Sequence, residues 1–118
     1  MAIVEFETYK SELEGLKPSI EELEASLDLS ARQDRITELE RQMEEPNFWD
    51  DAQNSTKIVK ELKSLKDTVG TFNAIVSLYE EVETMIEMGS EAEDEELAAE
   101  AGETLKKLKT DIETERTA

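Results

Sequence analysis

From Ile58 onward, apolar side chains return at Leu62, Leu65, Val69, Phe72, Val76 and Tyr79 in alternating steps of four and three, resuming at Ile86 after a missed step at Glu83, where Val82 stands adjacent. Steps averaging 3.5 residues hold one stripe on one side of an α-helix, whereas in a strand they would scatter between the two faces. The pattern therefore predicts a long helix over 51–88 that packs against other helices. At about 1.5 Å per residue it reaches roughly 55 Å. A second stripe at Ile75, Leu78, Val82 and Met85 widens the apolar face in its later half, so two helices are expected to flank it there. Gly70 within it reads as a close-packing point.

The flanking segments repeat the pattern. Phe6, Tyr9, Leu13, Leu16, Ile20, Leu23 and Leu27 predict a helix over 3–27, kinked near residues 14–18 by Gly15 and Pro18 but keeping its register across the proline. Ser30 with Gln33 has capping-box spacing, and Ile36, Leu39 and Met43 follow, predicting a short helix over 31–45 that Pro46 ends. Gly89 suits the left-handed position after a helix, and Ser90 with Glu93 repeats the capping box before a last helix over 91–116, whose buried stripe is Ala98, Ala101, Leu105, Leu108 and Ile112. The expected fold class is all-α, without strands: an antiparallel, coiled-coil-like bundle of four helices. At 118 residues it fits one domain.

One stretch interrupts the helical grammar. "EEPNFWDDAQ", residues 44–53, gathers Pro46, Phe48, the single tryptophan Trp49, Asp50 and Asp51. It reads as a structural joint, in which Asp50 or Asp51 caps the third helix and the two aromatics plug the open end of the bundle. Each aromatic would contribute about 1.5 to 3 kcal/mol by burial. The rival reading is an exposed aromatic anchor for a partner protein.

Charge and composition narrow the chemistry. Lys+Arg 13 against Asp+Glu 31 gives a formal net charge of −18, a field that repels phosphate backbones and anionic membranes and points to protein partners. Cysteine and histidine are absent, which removes disulfides, thiolate nucleophiles, nearly all zinc sites and the usual general base at neutral pH. No apolar run approaches a membrane span and "MAIVEFETYK" lacks the pattern of a signal peptide, so the expected location is the cytoplasm. With 31 acidic residues, adjacent pairs such as those beginning at 21, 44, 50, 80 and 95 are solvated helix faces and carry no acid–base signal. Glu91–Glu96 lacks the alternating ligands and central glycine of a calcium loop. Lys57, Lys60, Lys63 and Lys66 spread around their helix among Glu61 and Asp67, which suggests surface pairing and no nucleic-acid site. No catalytic residue, metal site or cofactor site is expected.

The stretch "LDLSARQDRITELERQMEEPNFWDDAQNSTKIVKELKSLKD", residues 27–67, resembles the N-terminal domain of the bacterial peptide chain release factor 2 family. That family shows Leu-Asp before a short helix, then Pro-x-Phe-Trp-Asp/Asn and a long helix, matched here by Leu27, Asp28, Pro46, Phe48, Trp49 and Asp50. The resemblance implies a factor that recognises UGA and UAA stop codons on the ribosome and triggers peptidyl-tRNA hydrolysis. The family reads codons with Ser-Pro-Phe and enters the peptidyl transferase centre with Gly-Gly-Gln, neither of which occurs in these 118 residues, so neither codon recognition nor release is expected of them. It implies a first domain, ending at "TERTA" just before the family's central domain, that lies near the stalk base of the large ribosomal subunit and is linked to interplay with release factor 3. Many members carry a programmed frameshift at the step corresponding to Leu27 and Asp28. The other class of function is a stand-alone acidic coiled-coil module that self-associates through the register from Ile58 to Ile86; the bundle reading expects a monomer instead.

Overall fold

The computed structural model describes residues 2–117, and every regular element among them is helical. In order these are α1 (Ala2–Leu27), α2 (Leu29–Met43), α3 (Ala52–Ala92) and α4 (Glu95–Thr117), with a 3₁₀ turn at Phe48–Asp50 between α2 and α3. Packing divides the chain into two compact units, Met1–Ser26 with Ala74–Ala118 and Leu27–Asn73, and α3 contributes residues to both.

In the first unit α1, the later part of α3 and α4 bury the stripes expected of them. Phe6, Leu13 and Leu23 of α1 are buried, as are Ile75, Val82, Met85 and Ile86 of α3. Ala98, Ala101, Leu105, Leu108 and Ile112, the five α4 positions assigned to the core, are at most 2% exposed. The two flanking helices expected beside the wide face of α3 are thus α1 and α4. Phe6 meets α3 near its end, at Gly89, so α1 runs antiparallel to α3. Tyr9 meets Gly102 and Glu12 pairs with Lys109 at 3.4 Å, so α1 and α4 run side by side in the same direction. α1 passes through Pro18 as one helix. An interior proline costs about 3 kcal/mol; burial of Leu13 before it and Leu23 after it holds the register that this cost opposes.

The second unit is built from α2, the 3₁₀ turn and the first part of α3. Leu39, Phe48, Ile58 and Leu62 form its buried cluster, with Ile36, Met43 and Leu65 packed against it. Two cross-helix ion pairs border this cluster: Arg35 holds Glu61 through two hydrogen bonds of 2.7 and 3.1 Å, and Lys66 meets Glu40 at 3.0 Å. Ile58, Leu62, Phe72 and Ile86, members of the long register of α3, are all buried.

The helix ends depart from expectation. Ser30 is not the N-cap of α2; it lies inside that helix, and the cap position is Asp28, left-handed at φ 47° with no side-chain cap bond. A single residue separates α1 from α2, so the break falls two residues earlier than a capping box at Ser30 places it, and aspartate tolerates the left-handed conformation. The Arg32 guanidinium closes the step by donating to the Leu27 carbonyl at 2.6 Å. Gly89 and Ser90 likewise sit within α3, which continues to Ala92. The left-handed residue is Glu93 (φ 52°), and the Asp94 N–H reaches back to the Gly89 carbonyl at 3.2 Å, a Schellman closure. Asp94, not Ser90, caps α4, its Oδ1 accepting from the N–H groups of Glu96 and Leu97 at 3.0 and 3.1 Å. Gly89 is kept for space: a side-chain carbon there would fall within the Phe6 ring. Gly70, by contrast, is exposed and a Cβ on it would meet nothing within 4 Å, so it is no packing point.

Candidate functional site

Residues 44–51 form the one extended departure from helix between α2 and α3 among the described residues. Its backbone closes through short-range bonds: the Glu45 N–H donates to Gln42, Phe48 to Glu45, and Asp50 to Asn47, each at 3.1 or 3.2 Å. Pro46 has no N–H to extend α2. The helix start falls to Asp51, whose carboxylate accepts the Asn54 N–H at 3.1 Å and whose carbonyl accepts Ser55 at 2.9 Å. Asp50 belongs to the 3₁₀ turn.

The two aromatics part company. Phe48 is 7% exposed and enters the α2–α3 cluster, while Trp49 is 60% exposed. The expected double plug is therefore corrected at Trp49. A 3₁₀ turn has about three residues per turn, so neighbouring side chains point roughly 120° apart, and seating Phe48 inward sends Trp49 outward. The rings keep an edge-to-face contact, centroids 4.8 Å apart at 85°.

Around the joint the charges are organised on the surface. Arg41 grips Glu38 through two bonds of 3.0 and 2.9 Å and reaches Glu45 at 3.1 Å. The hydrogen bond from Arg41, joined by one from Gln42, lowers the Glu38 carboxyl to about 2. Arg35 similarly holds Glu61 below the usual carboxylate range. The basic run pairs in part as its interleaving suggests. Lys63 meets Asp67 at 3.8 Å and Lys66 crosses to Glu40, Glu61 is taken by Arg35, and Lys57 and Lys60 make no ion pair among the described residues.

The acidic pairs beginning at 21, 44, 50, 80 and 95 are all exposed. Among the described residues no three acidic side chains converge to hold a metal ion, and no helix is long and apolar enough to cross a membrane.

Residues 32–118, from the first turn of α2 to the end of the chain, match the model of the PCRF domain. The chain belongs to the PCRF domain family. The chain is 37% identical over 112 residues to peptide chain release factor 2 of Clostridium perfringens, covering 95% of this chain and 30% of that protein. To its namesake in Exiguobacterium it is 32% identical over 110 residues, 93% of this chain and 30% of the relative. To that of Listeria innocua it is 37% identical over 103 residues, 87% and 28%. The chain thus spans about 30% of the length of these relatives. No solved structure matches it significantly. The joint lies inside the family match, whereas all of α1 precedes it.

Proposed function

We propose that the chain is the N-terminal helical domain of a class 2 bacterial peptide chain release factor, acting in the cytoplasm in termination at UGA and UAA codons. Its part is to engage the ribosome at the stalk base of the large subunit and to take part in interplay with release factor 3; peptidyl-tRNA hydrolysis falls to a separate Gly-Gly-Gln domain. The carrying observation is the alignment of 95% of this chain with 30% of a peptide chain release factor 2. The exterior supports it, since a net charge of −18 suits contact with basic proteins of the ribosome and disfavours its RNA.

Reading the gene beyond Ala118 tests the assignment first: Ser-Pro-Phe and Gly-Gly-Gln are expected downstream, and their absence overturns it. On ribosomes stalled at UGA, the factor lacking residues 1–118 should still release peptide, while release factor 3 should no longer accelerate its turnover. Unchanged acceleration would remove the stalk-base role.

A further inference from the structure

The helix pairs of this chain are not closed alike. A cross-helix ion pair joins α1 to α4 (Glu12–Lys109), and two join α2 to α3 (Arg35–Glu61 and Glu40–Lys66). Where α1 lies against the later part of α3, no ion pair joins them among the described residues, and the seam opens into two adjoining cavities of about 250 and 330 Å³ that share Tyr79 and Glu83. The lining is layered. Half-buried Ile20, Val76 and Tyr79 supply apolar surface over the buried Leu13 and Ile86, and Glu14, Glu21, Glu80, Glu83 and Glu87 supply carboxylates. Lys10 and Lys17 are the cations there, and none of these seven charged side chains takes part in an ion pair among the described residues.

We infer that this α1–α3 groove docks a basic amphipathic helix of a partner protein, laid lengthwise between the two helices. From Lys10 to Glu21 the α1 wall runs roughly 17 Å, about three helical turns, so a ligand helix presents an i, i+3/i+4, i+7 apolar stripe to the floor. Lys10, Glu14, Lys17 and Glu21 follow one another at steps of four, three and four, as Val76, Glu80, Glu83, Glu87 and Ser90 do on α3, so each wall is one continuous row. The wall charges, five acidic against two basic, select lysine and arginine flanking the stripe. The negative field within the groove is felt by Tyr79, whose hydroxyl is pushed up first by burial and then by Glu83 and Glu14. Phosphate backbones are repelled by the same field, and a second copy of this chain, itself at −18, brings the wrong sign. The inference rests on this groove alone and not on the ribosomal reading.

The probe is a synthetic 21-residue helix with leucines at heptad a and d positions and lysines beside them, titrated into the isotope-labelled 118-residue chain at moderate salt. Amide shifts should cluster on residues 10–21 and 76–90. The triple variant E80Q/E83Q/E87Q should weaken binding on the order of tenfold, while E95Q/E96Q/E103Q, which removes the same charge from α4, should leave it within about twofold. Tyr79→Ala should weaken binding as well, with the helical circular dichroism of the chain confirming its fold. A scrambled peptide of the same composition but no stripe should fail to bind. Equal loss in both triple variants, shifts spread over all acidic surfaces, or equal binding of the scrambled peptide would each overturn the docking site, leaving only diffuse attraction.

Discussion

Phe48 and Trp49 are neighbours with opposite fates, and the difference is measurable. Truncating buried Phe48 to alanine removes a member of the α2–α3 cluster and should cost about 3 kcal/mol in urea unfolding. Trp49→Ala loses an edge contact and exposed area, and should cost about 1 kcal/mol or less. Composition could place both aromatics at the joint; only the 3₁₀ geometry, which no short-range periodicity announces, decides which of them turns inward. Glu38 offers a second residue-scale test. Its folded value of about 2 lies below the ordinary 4.5, so the ionised carboxylate stabilises the fold above about pH 4.5, and that contribution disappears as pH falls through about 2. Glu38→Gln should therefore melt below the parent at pH 7, with the gap closing between pH 4.5 and 2 in thermal scans. Solvent screens the pair, so the gap is small.

At the scale of elements, seams and ends obey different rules. The seams are legible because burial follows the apolar spacing directly: Ala98, Ala101, Leu105, Leu108 and Ile112 alternate by three and four and all lie in the core. Ends are less legible because several side chains within a few positions can each cap, and about 1 kcal/mol separates the choices. Around residues 89–94 a glycine, a serine and an aspartate compete, and packing decides among them. Gly89 is occupied in admitting Phe6, α3 runs on to Ala92, and the cap passes to Asp94. Asp94→Ala should accordingly cost about 1 kcal/mol, while Ser90→Ala, inside a helix and serving as no cap, should cost less than about half of that or stabilise slightly. Equal costs in denaturant titrations would restore the capping box at Ser90. The α1–α3 groove was legible only in pieces, since the charges flanking each stripe are visible in the sequence while their lack of partners is a property of the fold.

At the scale of the whole molecule, net charge dominates. With 31 acidic groups against 13 basic ones, mutual repulsion opposes the compact state, and the eight ion pairs among the described residues are exposed and weak. Added salt screens repulsion over about 10 Å at 0.1 M, so the melting temperature should rise between 0.02 and 0.3 M sodium chloride at neutral pH. A fall would mean that attraction in the pairs outweighs repulsion. The notch at Gly89 reaches further than its size suggests. Because the Phe6 ring occupies the space a side chain would need there, the two positions form a lock and a key cut from distant parts of the chain, one before the family match and one within it. Gly89→Ala alone should destabilise by about 1 to 3 kcal/mol, and adding Phe6→Leu should recover part of the loss in the same melt. Relatives free to vary should then change these two sites jointly, trading ring for side chain, so that the leading helix inherits its fit from a glycine more than eighty residues away.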